Sequence, residues 1–108
     1  MTMRVAAVQL EVRLADVRAN LATCETLARE AAQQGAQAIA LPEFFTTGAA
    51  FIPELRDAAL APDGAATAML VRVAQEGGVL IGGSFLCRRG CGYSQCHQNR
   101  KGDSLRVH

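Results

Sequence analysis

Short apolar runs alternate with helical patterns along this chain, and this alternation restricts the fold more than any other feature of the sequence. Three runs have the length of a β-strand, at residues 4–10, 37–41 and 79–86. In the segments between them, apolar residues recur at steps of three or four, as on one face of a helix. Strands that alternate with helices form layered folds in which the helices cover a sheet. The sequence therefore predicts an α/β fold.

The first helical pattern, over residues 16–34, has recognisable ends. Asp16 is a suitable N-cap, because its side chain can accept a hydrogen bond from a free N–H of the first turn. Gly35 is suited to the position that follows the last turn. Cys24 lies on the apolar stripe of this helix, which predicts a small hydrophobic side chain in the core. A second helical pattern covers residues 65–75.

Proline and glycine mark the ends of the other elements. Pro42 cannot donate to a strand ladder, so the second strand should end there. The segment from residue 44 to residue 63 is irregular, with a turn at residues 46–48 and a short helix between Pro53 and Pro62. The third strand is apolar throughout its first half, which predicts that this half is buried on both faces.

Composition and charge exclude several classes of partner. Half of the residues are hydrophobic, 19% are charged, and the formal net charge is +1. Such a balance argues against binding to nucleic acid or to an anionic membrane through bulk charge. No apolar run approaches the roughly 18 residues of a membrane span, and the first residues lack the layout of a signal peptide. We therefore expect a cytoplasmic protein with no nucleic-acid or membrane partner.

The composition changes abruptly after residue 86. Residues 1–86 contain 20 alanines, whereas residues 87–108 contain none and hold three of the four cysteines, both histidines and five basic residues. We therefore divide the chain into a domain at residues 1–86 and an atypical Cys/Arg-rich tail at residues 87–108. A frameshift in an alanine-rich gene, or a truncation, would produce such a tail.

The tail also supports a different hypothesis, a small α/β binding module that holds zinc. Cys87, Cys91, Cys96 and His97 offer four soft ligands within eleven residues, enough for a tetrahedral site. Their spacing is not that of a familiar zinc motif, and Cys96 beside His97 is an awkward pair for one metal. Disulfides are a further option, although nothing upstream points to an oxidising compartment.

Glu43 is the main candidate for chemistry. It follows the second strand and Pro42, at the strand end where α/β folds place their ligand sites. Phe44 and Phe45 come next, and apolar neighbours disfavour the charged form of a carboxylate. A carboxylate in such surroundings is suited to accept a proton as a general base. The alternative interpretation is a solvated glutamate at a strand exit.

Four segments, in order, resemble the start of a carbon–nitrogen hydrolase of the nitrilase superfamily. They are VAAVQ at residues 5–9, Asp16 and Asn20 at the start of the long helix, GAQAIALPEF at residues 35–44, and GVLIGGS at residues 78–84. The resemblance covers residues 4–86. It implies the N-terminal portion of a four-layer α-β-β-α sandwich, incomplete in this chain, and a full-length protein that assembles as a homo-oligomer.

By this resemblance Glu43 is the catalytic general base. Members of the family cleave an amide or nitrile with a cysteine thiolate, which forms a covalent intermediate that water then hydrolyses. A free thiol is mostly protonated at neutral pH, so the reaction needs a nearby base. A lysine stabilises the negative charge that develops on the substrate, as an oxyanion hole does. The resemblance therefore implies a small-molecule amide or nitrile substrate and no cofactor.

The chain departs from the family pattern at the other two catalytic residues. Its one lysine, Lys101, lies in the sequence Asn-Arg-Lys-Gly, which does not match the family's lysine motif. None of its cysteines is followed by an aromatic and then an acidic residue, as the family nucleophile is. We therefore expect the 108-residue chain by itself to be catalytically inactive.

Overall fold

Four strands and three helices make up the described part of the chain, which is residues 2–50, 52–89 and 92–100 of a computed structural model. Their order is β1 (Val5–Ala7), α1 (Val17–Gln33), β2 (Ala38–Ala40), α2 (Glu54–Asp57), α3 (Ala65–Gly77), β3 (Leu80–Arg89) and β4 (Gly92–Arg100). The α/β class predicted from the sequence is confirmed. Within the described ranges, no helix has the length and apolar character that crossing a membrane requires.

The four strands form one sheet in the order β1-β2-β3-β4. The first three run parallel, with Ala38 of β2 paired to Val5 on one side and to Leu80 on the other. Parallel neighbours need a crossover connection, and α1 and α3 lie in the two crossovers. Both crossovers step in the same direction across the sheet. Because such connections are right-handed, the two helices lie on the same face.

The hydrophobic core lies between these helices and the face of the sheet that they cover. Ile81 of β3 is completely buried and belongs to one cluster with Cys24 of α1 and Leu70 of α3. The opposite face of the sheet is open, with Val5 67% and Leu80 40% exposed. The expectation that the first half of the third strand is buried on both faces is therefore wrong for the described residues, because both helices cover the same side.

The long helix α1 begins and ends as predicted. The Asp16 side chain accepts a hydrogen bond from the backbone N–H of Ala19 at 3.2 Å. The last helical residue is Gln33, and Gly35 has φ +96°, a conformation that costs glycine little. Cys24 is fully buried, and this burial raises the pKa of its thiol to about 11. The prediction of a core residue is confirmed.

The sequence pattern does not predict β4, because this segment is mostly polar. It pairs antiparallel with β3 along its whole length, from Gly92 opposite Arg89 to Arg100 opposite Ile81. β3 itself continues past residue 86, across the change in composition. Pairing with a long neighbour makes a strand of a segment that has no hydrophobic signal of its own.

An ion-pair cluster joins the two long helices. Glu25 of α1 binds Arg29 at 2.7 Å and Arg72 of α3 at 2.8 Å, and Arg29 also pairs with Glu76. The hydrogen bond from Arg72, together with the one from Arg29, lowers the pKa of Glu25. Because the pKa of Glu25 is lower in the folded state than in the unfolded state, its ionised carboxylate stabilises the fold at pH values above the ordinary pKa. That contribution is lost as the pH falls through the lowered pKa.

We expect Glu25→Gln to lower the urea midpoint slightly at neutral pH, since ion pairs between partly exposed side chains contribute little. The difference from the parent protein should vanish at acidic pH, where Glu25 is protonated in the parent as well. Urea titrations followed by circular dichroism at both pH values measure this. Glu30→Gln, at an exposed position of the same helix, is the matched control. A difference that persists at acidic pH would contradict the assignment.

Candidate active site

Glu43 lies in a turn at the carboxyl ends of β2 and β3. After β2 the chain runs beside β3 and is bonded to it at two points. Leu41 N–H donates to the Gly82 carbonyl at 2.8 Å, and Phe45 N–H donates to the Ser84 carbonyl at 3.1 Å. Pro42, which has no N–H, occupies a position between these two bonds. The site therefore lies at the strand ends where ligand crevices of α/β folds form.

The turn is held from two sides. Phe44 has φ +50°, an uncommon conformation for a residue with a large side chain. Its N–H donates to the Ser84 hydroxyl at 3.3 Å, and its carbonyl accepts from Gly48 N–H at 2.8 Å. Phe45 is fully buried and meets Phe85 edge to face, with 6.0 Å between ring centroids. A backbone in this conformation persists only where its surroundings hold it, as these contacts do.

A glycine makes this close approach of turn and strand possible. A Cβ at Gly83 would lie 2.9 Å from the Cβ of Leu41 and 3.0 Å from the Phe45 ring. Both neighbours are buried and belong to the core cluster, so neither can move freely. The absence of a side chain at residue 83 is therefore what lets the turn that carries Glu43 pack onto β3.

We expect Gly83→Ala to destabilise the fold by about 1–3 kcal/mol, the usual cost of overpacking. Chemical denaturation measures the loss. Gly82→Ala is the matched control, because there the new methyl group meets chiefly the end of the exposed, flexible Asn99 side chain. Equal losses in the two variants would argue against the packing of Leu41 and Phe45 as the cause.

The Glu43 side chain is exposed and borders a concavity of about 590 Å³ on the open face of the sheet. All four strands contribute to the lining, through Val5, Ala38, Leu80 and His97 among others. Phe45, one of the two apolar neighbours expected beside Glu43, turns into the core instead, and the side-chain partner of Glu43 is polar. Its Oε1 accepts a hydrogen bond from Gln95 Nε2 at 2.8 Å.

Gln95 and Ser84 are the functional candidates that sequence reasoning missed. The Gln95 amide nitrogen also donates to the Ser84 hydroxyl at 2.8 Å, so the two side chains and Glu43 form one hydrogen-bonded group. Ser84 lies within the segment at residues 78–84 that carries part of the family resemblance, so the sequence could have indicated Ser84 as a site residue. Gln95 carries no such signal, because its position depends on the pairing of β4 with β3.

Asn20 joins the loop before α1 to the turn that carries Glu43. It is 2% exposed, and its amide group donates to the carbonyls of Arg13 at 2.7 Å and Thr46 at 2.8 Å. Its side-chain oxygen accepts from Arg13 N–H at 2.9 Å. Ala15 N–H adds a bond to the Thr47 carbonyl at 2.9 Å. Asn20, one of the residues that carry the family resemblance, therefore supports the turn through the Thr46 carbonyl.

The residues of the zinc hypothesis are not brought together in the described part of the chain. Cys87 and Cys96 are buried and form a disulfide, which is the other option that the sequence left open. His97 is exposed beside the concavity. Residues 2–50, 52–89 and 92–100 contain no group of three or more metal-ligating side chains. Cys91 and Lys101 lie outside the described residues.

Comparison with known proteins gives a consistent result. The carbon-nitrogen hydrolase family profile matches residues 4–104, past the change in composition at residue 87. A nitrilase from Pyrococcus abyssi is 39% identical over 83 residues, which are 72% of this chain and 31% of that protein. An omega-amidase from Xenopus laevis is 37% identical over 81 residues, which are 71% of this chain and 28% of that protein.

Solved structures agree with these matches. A CN-hydrolase superfamily protein from Xanthomonas campestris, with an arsenic adduct in its active site, superposes with a TM-score of 0.82 at 30% identity, covering 96% of this chain and 38% of that one. A glutamate-to-glutamine mutant of the Nesterenkonia amidase, with acrylamide added to its active-site cysteine, gives 0.76 at 25% identity, covering 94% and 40%. The chain spans about a third of the length of the curated relatives. It belongs to the carbon-nitrogen hydrolase family.

Proposed function

We propose that this chain is the part of a carbon–nitrogen hydrolase that supplies the general base, Glu43. The observation that carries the proposal is the position of this carboxylate, which follows β2, borders the concavity and is held through Oε1 by Gln95. A base must reach the proton that it takes, and an exposed carboxylate beside a concavity meets that geometric need. The substrate class we propose is a small amide or nitrile, as the names of the relatives suggest.

In the proposed reaction with an amide, Glu43 takes the proton of a cysteine thiol and the thiolate sulfur bonds to the substrate carbon. The proton passes to the substrate nitrogen, the C–N bond breaks and the amine leaves. Water then gives a proton to Glu43 while its oxygen attacks the thioester carbon. The C–S bond breaks, the acid product leaves and Glu43 returns the proton to sulfur. A lysine stabilises the charge on the substrate oxygen.

We propose that the nucleophile and the lysine come from sequence beyond these 108 residues. Cys24 is buried and its pKa is raised to about 11, so its thiol is protonated at neutral pH. Cys87 and Cys96 are bonded to each other. The 108-residue chain by itself should then release no ammonia from amides. We further propose that the complete protein is a homo-oligomer, as the family resemblance implies, and that it lies in the cytoplasm.

A hybrid enzyme tests the proposal. Residues 4–100 of this chain replace the corresponding first part of the Pyrococcus abyssi nitrilase, whose remaining sequence completes the fold. Ammonia release from short aliphatic amides and nitriles is then measured for the hybrid and for the 108-residue chain. Turnover by the hybrid alone is the expected result. A folded hybrid without turnover on any amide or nitrile would contradict the proposal.

The gene offers an independent test. Because the family profile matches residues 4–104 and β4 pairs along β3, we propose a truncation and not a frameshift. The DNA after codon 108 should then encode, in the same frame, a family lysine motif and a cysteine followed by an aromatic and an acidic residue. A continuation without either motif would count against the proposed nucleophile.

A further inference from the structure

We propose that Gln95 is a positioning residue. Its amide group is anchored by Ser84 and holds Oε1 of Glu43, which leaves Oε2 as the oxygen that takes the proton. The proposal rests on the proposed function of Glu43 as the base. It assigns different tasks to the two oxygens of one carboxylate. It also gives a role to the strand β4, which the sequence pattern does not predict.

Both hydrogens of the Gln95 amide group have partners. One points to Glu43 Oε1 and the other to Ser84 Oγ, each at 2.8 Å between heavy atoms. An amide group is planar, so two partners fix the orientation of both N–H bonds. A glutamine that bonded to Glu43 alone could rotate about its side-chain torsions and take the carboxylate with it. The second bond removes that freedom.

Ser84 is a fixed partner for Gln95. It is 3% exposed, and its hydroxyl oxygen also accepts from Phe44 N–H at 3.3 Å. Its carbonyl accepts from Phe45 N–H at 3.1 Å. The Glu43–Phe44 and Phe44–Phe45 peptides therefore both donate to the same serine that orients Gln95. Ser84 thus holds the main chain of the turn directly and the carboxylate through Gln95.

The hairpin register brings Gln95 within reach. Gln95 lies opposite Leu86, and its neighbour His97 lies opposite Ser84. Cys96 and Gln98 are buried towards the helices, so the alternation of a strand puts Gln95 on the open face with Glu43. A diagonal neighbour on the adjacent strand is within range of a long side chain. The Gln95 side chain therefore reaches both Ser84 and Glu43, which follows the end of β2.

A neutral donor suits a base better than a cation would. A guanidinium or ammonium beside a carboxylate favours the charged form and so weakens the carboxylate as a proton acceptor. An amide N–H gives direction without adding a full positive charge. The structure places an amide, and no arginine or lysine of the described residues, in hydrogen-bond contact with Glu43.

Nuclear magnetic resonance of the 108-residue chain tests the contact directly. The side-chain amide signals of Gln95 should move when Glu43→Gln replaces the carboxylate that accepts its hydrogen bond. Gln75, exposed on α3, provides the reference signals, which should not respond to that substitution. Gln95 signals that do not respond to Glu43→Gln would overturn the proposal without any requirement for catalysis.

Kinetics of the hybrid enzyme test the role. Gln95→Met keeps the length of the side chain and removes the donor, so kcat should fall about 10- to 100-fold, as for misplaced catalytic groups. KM and the melting temperature should stay close to those of the parent. Gln75→Met is the matched control and should leave kcat unchanged. A lower melting temperature with a higher KM and a lower kcat would indicate a merely structural role and overturn the proposal.

The two proposals fail in different ways. If Glu43→Gln abolishes turnover and Gln95→Met does not lower it, the positioning role is wrong and the general base stands. If Glu43→Gln retains turnover, the general base is wrong, and the positioning role falls with it whatever Gln95→Met does.

Discussion

Glu43→Gln in the hybrid enzyme will lower kcat about 10³-fold, within the range attributed to general acid–base groups. Glutamine has nearly the shape of glutamate, and its carbonyl oxygen can still accept the hydrogen bond from Gln95. The turn and the bond to Gln95 are therefore preserved, while the ability to accept a proton is lost. KM should change little, because the substituted atom takes part in the proton transfer and not in the packing of the turn.

Ammonia release at saturating substrate measures the effect, and the melting temperature confirms that the variant is folded. Glu54→Gln, at an exposed position of α2, is the matched control and should retain the kcat of the parent. Turnover by Glu43→Gln equal to that of the parent hybrid would remove Glu43 from the mechanism. The concavity beside it would then need another explanation.

Asn20→Ala will destabilise the 108-residue chain by about 3 kcal/mol, near the upper end of ordinary single substitutions. Asn20 is buried and makes three hydrogen bonds, two to Arg13 and one to Thr46. Alanine removes all three and leaves backbone groups without partners in a buried place, which costs more than the lost bonds alone. The turn at residues 44–48 should loosen as well, since Thr46 lies within it.

Urea unfolding followed by circular dichroism measures the loss. Asn20→Asp separates the contributions, because it keeps the acceptor for Arg13 N–H and loses both donors. It should also be destabilised. Asn99→Ala, at an exposed position of β4, is the matched control and should change stability by less than about 0.5 kcal/mol. Losses of similar size for Asn20→Ala and Asn99→Ala would contradict the structural role.

The sequence predicted the elements that carry their own signals. Helix α1 has an apolar stripe, an acidic N-cap at Asp16 and a glycine at residue 35, and each of these local features has the predicted place in the structure. Pro42 marked the end of the second strand, and Glu43 follows it. These features depend on residues near in sequence, so periodicity and capping rules suffice to find them.

Contacts between distant residues were not predictable in the same way. The side-chain contact between Gln95 and Glu43 joins positions 52 residues apart and depends on the hairpin register. Phe44 takes a positive φ because Ser84, Gly48 and the buried Phe45 hold the turn, and no local rule favours that conformation for phenylalanine. The open face of the sheet follows from the handedness of two crossovers, whereas the first half of the apolar run at residues 79–86 suggested burial on both sides.

The order of strands and helices and the place of Glu43 after a strand thus follow from the sequence alone, because hydrophobic period, caps and proline act over a few residues. Tertiary structure decided which polar groups meet Glu43, which face of the sheet stays open and that residues 92–100 form a strand. Such features arise when separate elements pair and pack, and the free energy that selects them comes from contacts that no single segment contains.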